Sequence, residues 1–159
     1  MTPKVGDLVF LDTNILLTAT DESRPGHQSA RRFVSKSGQK GLHLVMSGQI
    51  MREYLVVATR PLHVNGLGLV AKEAMSNVRV FRRHIACFEE TTASTTKLLD
   101  ICEALQLHGK RIQDANLVAI MLTHGIQFLA TDNLNDFSSI ASFADISLLA
   151  LADLAMIAP

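Results

Sequence analysis

Asp12, Glu53, Asp114 and the pair Asp132/Asp136 are carboxylates set in apolar surroundings. Asp12 follows the run Leu8-Val9-Phe10-Leu11, and Asp132 and Asp136 follow Ile126–Ala130. Glu53 shares the i, i+3, i+4, i+7 spacing of one helix face with Ile50, Tyr54 and Val57, all but Glu53 apolar in character. Asp114 opens Gln113-Asp114-Ala115-Asn116-Leu117-Val118-Ala119-Ile120-Met121-Leu122, a helix apolar on nearly every side and therefore central in a domain. An acid drawn out of water needs hydrogen bonds, a counter-charge or a hard cation. If these acids converge, each raises the others' pKa and the fold is destabilised. A divalent ion removes that conflict, and oxygen-only ligands suit Mg2+ or Mn2+ rather than zinc. Such ions activate water and neutralise charge developing on a phosphodiester.

Each acid also has a plainer explanation. Asp12 or Thr13 can cap a following helix, and Glu53 can pair with a nearby arginine. Asp114 can complement a helix dipole, Asp132 can form an Asx turn, and Asp136 can sit on the surface of a short helix. Rival chemistries find less support. The six histidines are scattered, and no Gly-x-Ser-x-Gly turn or Gly-x-x-x-x-Gly-Lys loop is present. His84 and Cys87 lie three apart, but two soft ligands make a poor zinc site.

The elements that would position these acids alternate. Strand-like runs occupy Asp7–Leu11, His43–Met46, Ala86–Phe88, Ile126–Ala130 and Ile146–Leu149. Helical segments follow at Thr13–Thr20, after Pro25, from a Ser47 cap to about Thr59, at Leu67–Arg83 after the turn Asn65-Gly66, at Thr92–Leu107 and at Arg111–His124. Alternating strands and helices predict an α/β protein: a three-layer α/β/α sandwich around a mainly parallel sheet, as one domain over residues 1–159. Ligands of such sheets gather beyond the carboxyl ends of strands, where Asp12 and Asp132 fall.

A chain of 159 residues with 48% apolar content and mean hydropathy +0.23 fills a core without aromatic bulk, since only 5% of residues are aromatic. No apolar run is long enough to cross a membrane and no export signal is visible, which with two unclustered cysteines predicts a reduced, cytoplasmic setting. The net charge of zero hides segregation. Residues 24–83 carry eleven Lys/Arg against two acids, and residues 84–159 carry three against nine. One region is thus suited to a polyanion while another gathers carboxylates.

In this order the residues resemble the PIN-domain family, specifically VapC-like toxins of prokaryotic toxin–antitoxin pairs. Leu11-Asp12-Thr13-Asn14 is similar to the opening motif, and Arg52-Glu53-Tyr54 to the second-acid helix. Asp114-Ala115-Asn116-Leu117-Val118-Ala119 is similar to the third-acid helix, and Thr131-Asp132-Asn133-Leu134-Asn135-Asp136-Phe137 to the closing motif. The resemblance implies a five-stranded sheet, a metal-dependent endoribonuclease, a homodimer, and a small antitoxin whose tail fills the acidic pocket or the groove beside it. It makes Asp12, Glu53 and Asp114 the core metal-binding acids, supported by Thr13, Asn14 and Thr131. The position two after the Thr, often acidic in the family, is Asn133 here. Asp132 and Asp136 therefore compete for the fourth role, and Asp136 is favoured.

The expected activity is hydrolysis of structured RNA with one or two Mg2+ or Mn2+ ions among Asp12, Glu53, Asp114 and Asp132 or Asp136. It leaves a 3′-hydroxyl and a 5′-phosphate. Arg24, Arg31, Arg32, Arg60, Arg79, Arg82 and Arg83 are the candidates for flanking phosphates, and with few aromatics to stack bases, recognition relies on RNA shape. The competing expectation is a PIN-like module that binds RNA or protein without turnover. A phospho-acceptor domain using Asp12 is weaker, because Thr131-Asp132 stands where such domains carry a lysine.

Overall fold

The computed structural model describes residues 1–157. The five apolar runs form β1 (Leu8–Leu11), β2 (His43–Ser47), β3 (Ala86–Phe88), β4 (Phe128–Thr131) and β5 (Ser147–Ala150). They pair in the order β3-β2-β1-β4-β5, and every pair is parallel. The central strand β1 is buried from Val9 to Leu11, as expected where helices cover both faces, while the edge strand β3 is short and partly exposed.

The connections decide the layers. Chain direction runs β1 to β2 to β3 one way across the sheet and β4 to β5 the other. Right-handed crossovers then place α1 (Thr13–Thr20), α2 (His27–Lys36), α3 (Gly48–Thr59) and α4 (Ala71–His84) on one face, and α5 (Thr92–Ala104), α6 (Arg111–Thr123) and α7 (Leu134–Ala144) on the other. Packing agrees: α1 contacts α2 and α3, α3 contacts α4, and α6 contacts α5 and α7. A final short helix, α8 (Leu154–Ile157), rests on α2. The layout is the three-layer sandwich expected, with the sheet wholly parallel rather than mainly so. Strand order reverses between β1 and β4, which opens a crevice at their carboxyl ends.

Several element boundaries differ from the sequence reading, each for a local reason. The second helix starts at His27 rather than at Pro25, because Gly26 takes φ +79° as its N-cap and packs beneath Leu151. The fourth helix starts at Ala71 rather than Leu67. Residues 67–69 instead fold back on α3, with the Leu67 and Leu69 amides donating to the Val57 and Ala58 carbonyls (3.1 and 2.9 Å). That return requires Gly66, where a Cβ would lie 1.9 Å from the Arg60 carbonyl oxygen. The helix expected to reach Leu107 stops at Ala104. Gln106 turns left-handed (φ +50°) and the Leu107 amide closes on the Cys102 carbonyl at 3.0 Å. Ser47 does cap α3, accepting from the Ile50 amide at 3.5 Å. Strands β4 and β5 each begin one or two residues later than the hydrophobic runs suggest and end one residue later.

Candidate active site

Parallel register sets Leu11 opposite Ala130, so Asp12 and Thr131 leave their strands side by side. The Asp12 amide extends that ladder by donating to the Ala130 carbonyl at 3.0 Å. Asp12 stands at the N-cap of α1, yet its carboxylate makes no capping bond. Its Oδ2 accepts instead from the Thr131 hydroxyl and from the Asn14 side-chain amide, each at 2.7 Å. Asn14 straddles the crevice: its Nδ2 also reaches the Thr131 hydroxyl (3.3 Å), and its Oδ1 accepts from the Asp132 amide (3.1 Å). Thr131 in turn accepts from the Asn133 amide at 3.0 Å, and the Asn133 side chain donates to Asp136. One hydrogen-bonded chain therefore runs from Asp12 to Asp136.

Glu53 arrives from α3. Ile50 and Tyr54 on its face are fully buried, and the Tyr54 hydroxyl is fixed by hydrogen bonds with Thr20 and Asn77, both 3.0 Å. Phe81 meets the Tyr54 ring edge-on with centroids 5.2 Å apart. With the helix so clamped, Glu53 projects toward α1 and α6. Its Oε2 accepts from the Thr13 hydroxyl (2.7 Å) and its Oε1 from Gln49 (2.7 Å). Among the described residues Glu53 makes no ion pair; the two pairs present are Arg24–Asp21 (3.4 Å) and Arg52–Glu90 (3.7 Å). The salt-bridge explanation of Glu53 is thereby set aside.

Asp114 occupies the first turn of α6, whose Ala115 and residues 117–121 are buried. Its position near the helix start satisfies the dipole, but more acts on it. Partial burial raises its pKa, Asp136 and Glu53 raise it further, and Lys110 and Arg111 oppose them. Asp12, only 8% exposed, has its carboxyl pushed up to about 6. Burial is the main cause. Hydrogen bonds from Thr131 and the Thr13 backbone pull it down, and the charges of Glu53 and Asp114 push it up again. Glu53 and Asp114 thus act on Asp12, and Glu53 and Asp136 on Asp114, although the four stand at the end of β1 and on α3, α6 and α7.

Asp132 differs. Its side chain is exposed, and the residue joins the network through its backbone amide rather than its carboxylate. Asp136, also exposed, is the acid that acts on Asp114.

The donor set is all oxygen, with no cation pairing any of the four acids among the described residues. Such a set suits a hard divalent ion. Among the described residues no three Asp, Glu, His or Cys side chains close around a single point. Pairs of these carboxylates are therefore what the geometry offers a cation, and Mg2+ is an ion that takes one or two carboxylates directly with water completing its shell.

The predicted phosphate-binding arginines lie elsewhere, on the face formed by α1 to α4. Arg31 and Arg32 are exposed on α2 and, with Arg24, His27 and Lys36, line an open cavity of about 780 Å3. Arg79, Arg82 and Arg83 are exposed on α4, and Arg60 follows the end of α3. The cations whose charges act on Asp114 are Lys110 and Arg111, outside the basic block of residues 24–83. Gln49, four residues before Glu53 on the same helix face, is a further member of the site, and that i, i+4 spacing is the signal of it in the sequence.

Comparison with known proteins agrees with this fold. The profile of the family described as PIN domain matches residues 9–142. Ribonuclease VapC24 of Mycobacterium tuberculosis is 28% identical over 138 residues, covering 82% of this chain and 90% of that protein. In structure, VapBC2 from Rickettsia felis bound to a DNA fragment from its promoter superposes with TM-score 0.66 at 14% identity, covering 90% of this chain and 98% of that one. Mycobacterium tuberculosis VapC20, described as a sarcin–ricin loop cleaving toxin, superposes with TM-score 0.59 at 20% identity, over 83% of this chain and 94% of that one.

Proposed function

The chain belongs to the PIN-domain family, and from that premise we propose that it is an endoribonuclease acting as the toxin of a toxin–antitoxin pair, dependent on Mg2+ or Mn2+. The observation that carries the proposal is the buried Asp12 carboxylate at the carboxyl ends of β1 and β4, within the electrostatic reach of Glu53 and Asp114, with Asp136 reaching Asp114 in turn. The ribonuclease names of its relatives and the toxin–antitoxin complexes among its structural neighbours point the same way.

Asp12, Glu53, Asp114 and Asp136 would hold the ion or ions: Asp12 Oδ2 already accepts two hydrogen bonds and leaves Oδ1 for the purpose, while each Glu53 oxygen accepts one and keeps a further lone pair. When bound, a divalent ion lowers the pKa of a water and offsets the charge that builds on a phosphodiester under attack. Thr131 and Asn14 hold the Asp12 carboxylate at its Oδ2, and Thr13 and Gln49 hold both oxygens of Glu53. Water adds to phosphorus, the bond from phosphorus to the 3′ oxygen breaks, and a 3′-hydroxyl and a 5′-phosphate remain. The exposed arginines of α2 and α4 bind flanking phosphates of a structured RNA, the salt-sensitive part of recognition.

A small antitoxin completes the proposal. An open groove of about 750 Å3 runs between α2 and α4, with Ala19, Val34, Leu69, Val80 and Phe81 against His27, Arg31 and Glu73. An amphipathic antitoxin segment suits such a lining. Val56, Leu62 and Val64, exposed around the end of α3, suit a homodimer contact. No helix among the described residues is long and apolar enough to cross a membrane, and a cytoplasmic setting belongs to the same proposal.

The deciding experiment is Mg2+-dependent cleavage of RNA by the wild type against Asp12→Ala and Asp114→Ala, with folding checked by circular dichroism. Undiminished cleavage by either folded variant ends the assignment. A module without turnover is the second possibility, favoured by the acids' failure to close around one point. Calorimetric titration with Mn2+ separates the two, since a module of that kind takes up no ion at the crevice.

A further inference from the structure

Gln49 is a polar side chain only 4% exposed, and all of its hydrogen-bonding atoms are engaged by groups that matter to the crevice. Its Nε2 donates to Glu53 Oε1 at 2.7 Å and to the Gln113 carbonyl at 3.1 Å. Its Oε1 accepts from the Asn116 side-chain amide at 2.8 Å. These partners leave no freedom in the orientation of the carboxamide. Turned over, it would set oxygen against the Glu53 carboxylate and the Gln113 carbonyl, and nitrogen against the Asn116 amide. Asn116 is itself held by Glu90 at 3.1 Å, and Glu90 is paired with Arg52.

The connectivity has a consequence for the acids. Glu53 and Gln49 belong to α3, on one face of the sheet, while Gln113, Asp114 and Asn116 belong to the first turns of α6 on the other. The two helices lie on opposite sides of β1, and the Gln49 side chain is the bridge between them. It grips α6 on either side of Asp114, at Gln113 and at Asn116, while holding one oxygen of Glu53.

We infer that Gln49 is a positioning residue: its buried carboxamide fixes the Glu53 carboxylate and docks the start of α6, so that Glu53 and Asp114 face a common cation. This rests on the proposed metal site, and Gln49 touches neither substrate nor ion. Its contribution reaches the crevice through Glu53 and the placement of Asp114.

Gln49→Met keeps the length of the side chain and removes both polar atoms. Titration calorimetry of the full chain with Mn2+ should show affinity lowered on the order of 10–100-fold, the effect usual for losing a residue that orients a ligand. Thermal unfolding should stay cooperative. Cleavage should fall in kcat with KM for RNA unchanged. In a Glu53→Gln background the further change Gln49→Met should alter Mn2+ affinity much less than it does in the wild type. Equal Mn2+ affinity in wild type and Gln49→Met overturns the inference, as does the same loss with or without the Glu53 carboxylate. If Gln49→Met does not fold, Asn116→Ala releases the carboxamide from its half-buried side. It should weaken Mn2+ binding in the same direction, and unchanged affinity there overturns the inference equally. A wild type that takes up no Mn2+ overturns the metal site itself and this role with it, whereas a wild type that binds beside an unaffected variant overturns the role alone.

Discussion

Replacing Asp12 by Asn should stabilise the metal-free protein while destroying the function proposed for it. In the folded chain the Asp12 carboxyl titrates at about 6, against 3.8 ordinarily. Between those values the native state keeps a proton that the unfolded state has lost, so stability falls as pH rises. The favourable contribution is complete below about pH 4 and gone above about pH 6. Two decades of proton affinity correspond to about 3 kcal/mol. Because Asp12 is only 8% exposed, solvent screens little of this. Asn retains an oxygen to accept from Thr131 and Asn14, so the neutral variant should recover most of the loss at pH 7.5. For a domain of this size that is on the order of 10 °C in unfolding midpoint. The assay is unfolding followed by circular dichroism in EDTA at pH 4.5 and 7.5. Wild type should lose stability between those values, and Asp12→Asn should lose far less. Adding Mn2+ at pH 7.5 should restore the wild type, by about 2.7 kcal/mol at a hundred times its Kd, and leave the variant unmoved. Identical pH profiles for the two proteins in EDTA would refute the idea that an uncompensated buried charge sits at Asp12.

Other perturbations test other parts. Glu53→Gln and Asp114→Asn should each lower RNA cleavage about 100-fold or more with the circular dichroism spectrum unchanged, and a folded variant that cleaves normally removes its residue from the site. Arg31→Ala combined with Arg32→Ala should weaken RNA binding at all sequences and flatten the plot of log affinity against log salt by roughly 0.7 for each phosphate left without its arginine, measurable by fluorescence anisotropy. Gly66→Ala would drive a methyl into the Arg60 carbonyl. It should cost about 2 kcal/mol or more, read as a drop of at least about 4 °C in unfolding midpoint, with cleavage retained at low temperature.

Much of the architecture was legible because hydrophobic period carries it. The buried runs of β1 and β4 and the all-round apolar α6 announce a covered parallel sheet, and Ser47 and Gly125 mark helix ends by composition. Boundaries set by distant backbone were not legible. Leu67 to Leu69 pattern as helix, yet they pair with carbonyls of α3 through a return that depends on Gly66. At the crevice, Asp12, Glu53 and Asp114 could be read from the oddity of acids on apolar faces. The choice between Asp132 and Asp136 could not, since it turns on which residue offers a carboxylate and which only an amide. Gln49 was overlooked because a glutamine beside apolar residues carries no charge to explain. Density of arginines marks the block 24–83 in the sequence, whereas the charges that act on Asp114 belong to Lys110 and Arg111, which no such density marks.

The bond between Thr131 and Asp12 spans 119 positions of the chain. A ribosome adding about 5–20 residues per second incorporates Asp12 roughly 6 to 24 s before it incorporates the hydroxyl that will hold it. Until then β1 lacks β4 as a neighbour, and the helices bearing Asp114 and Asp136 are unmade or undocked. A nascent copy of this protein therefore has no assembled crevice until β4 and the helices that flank it are made.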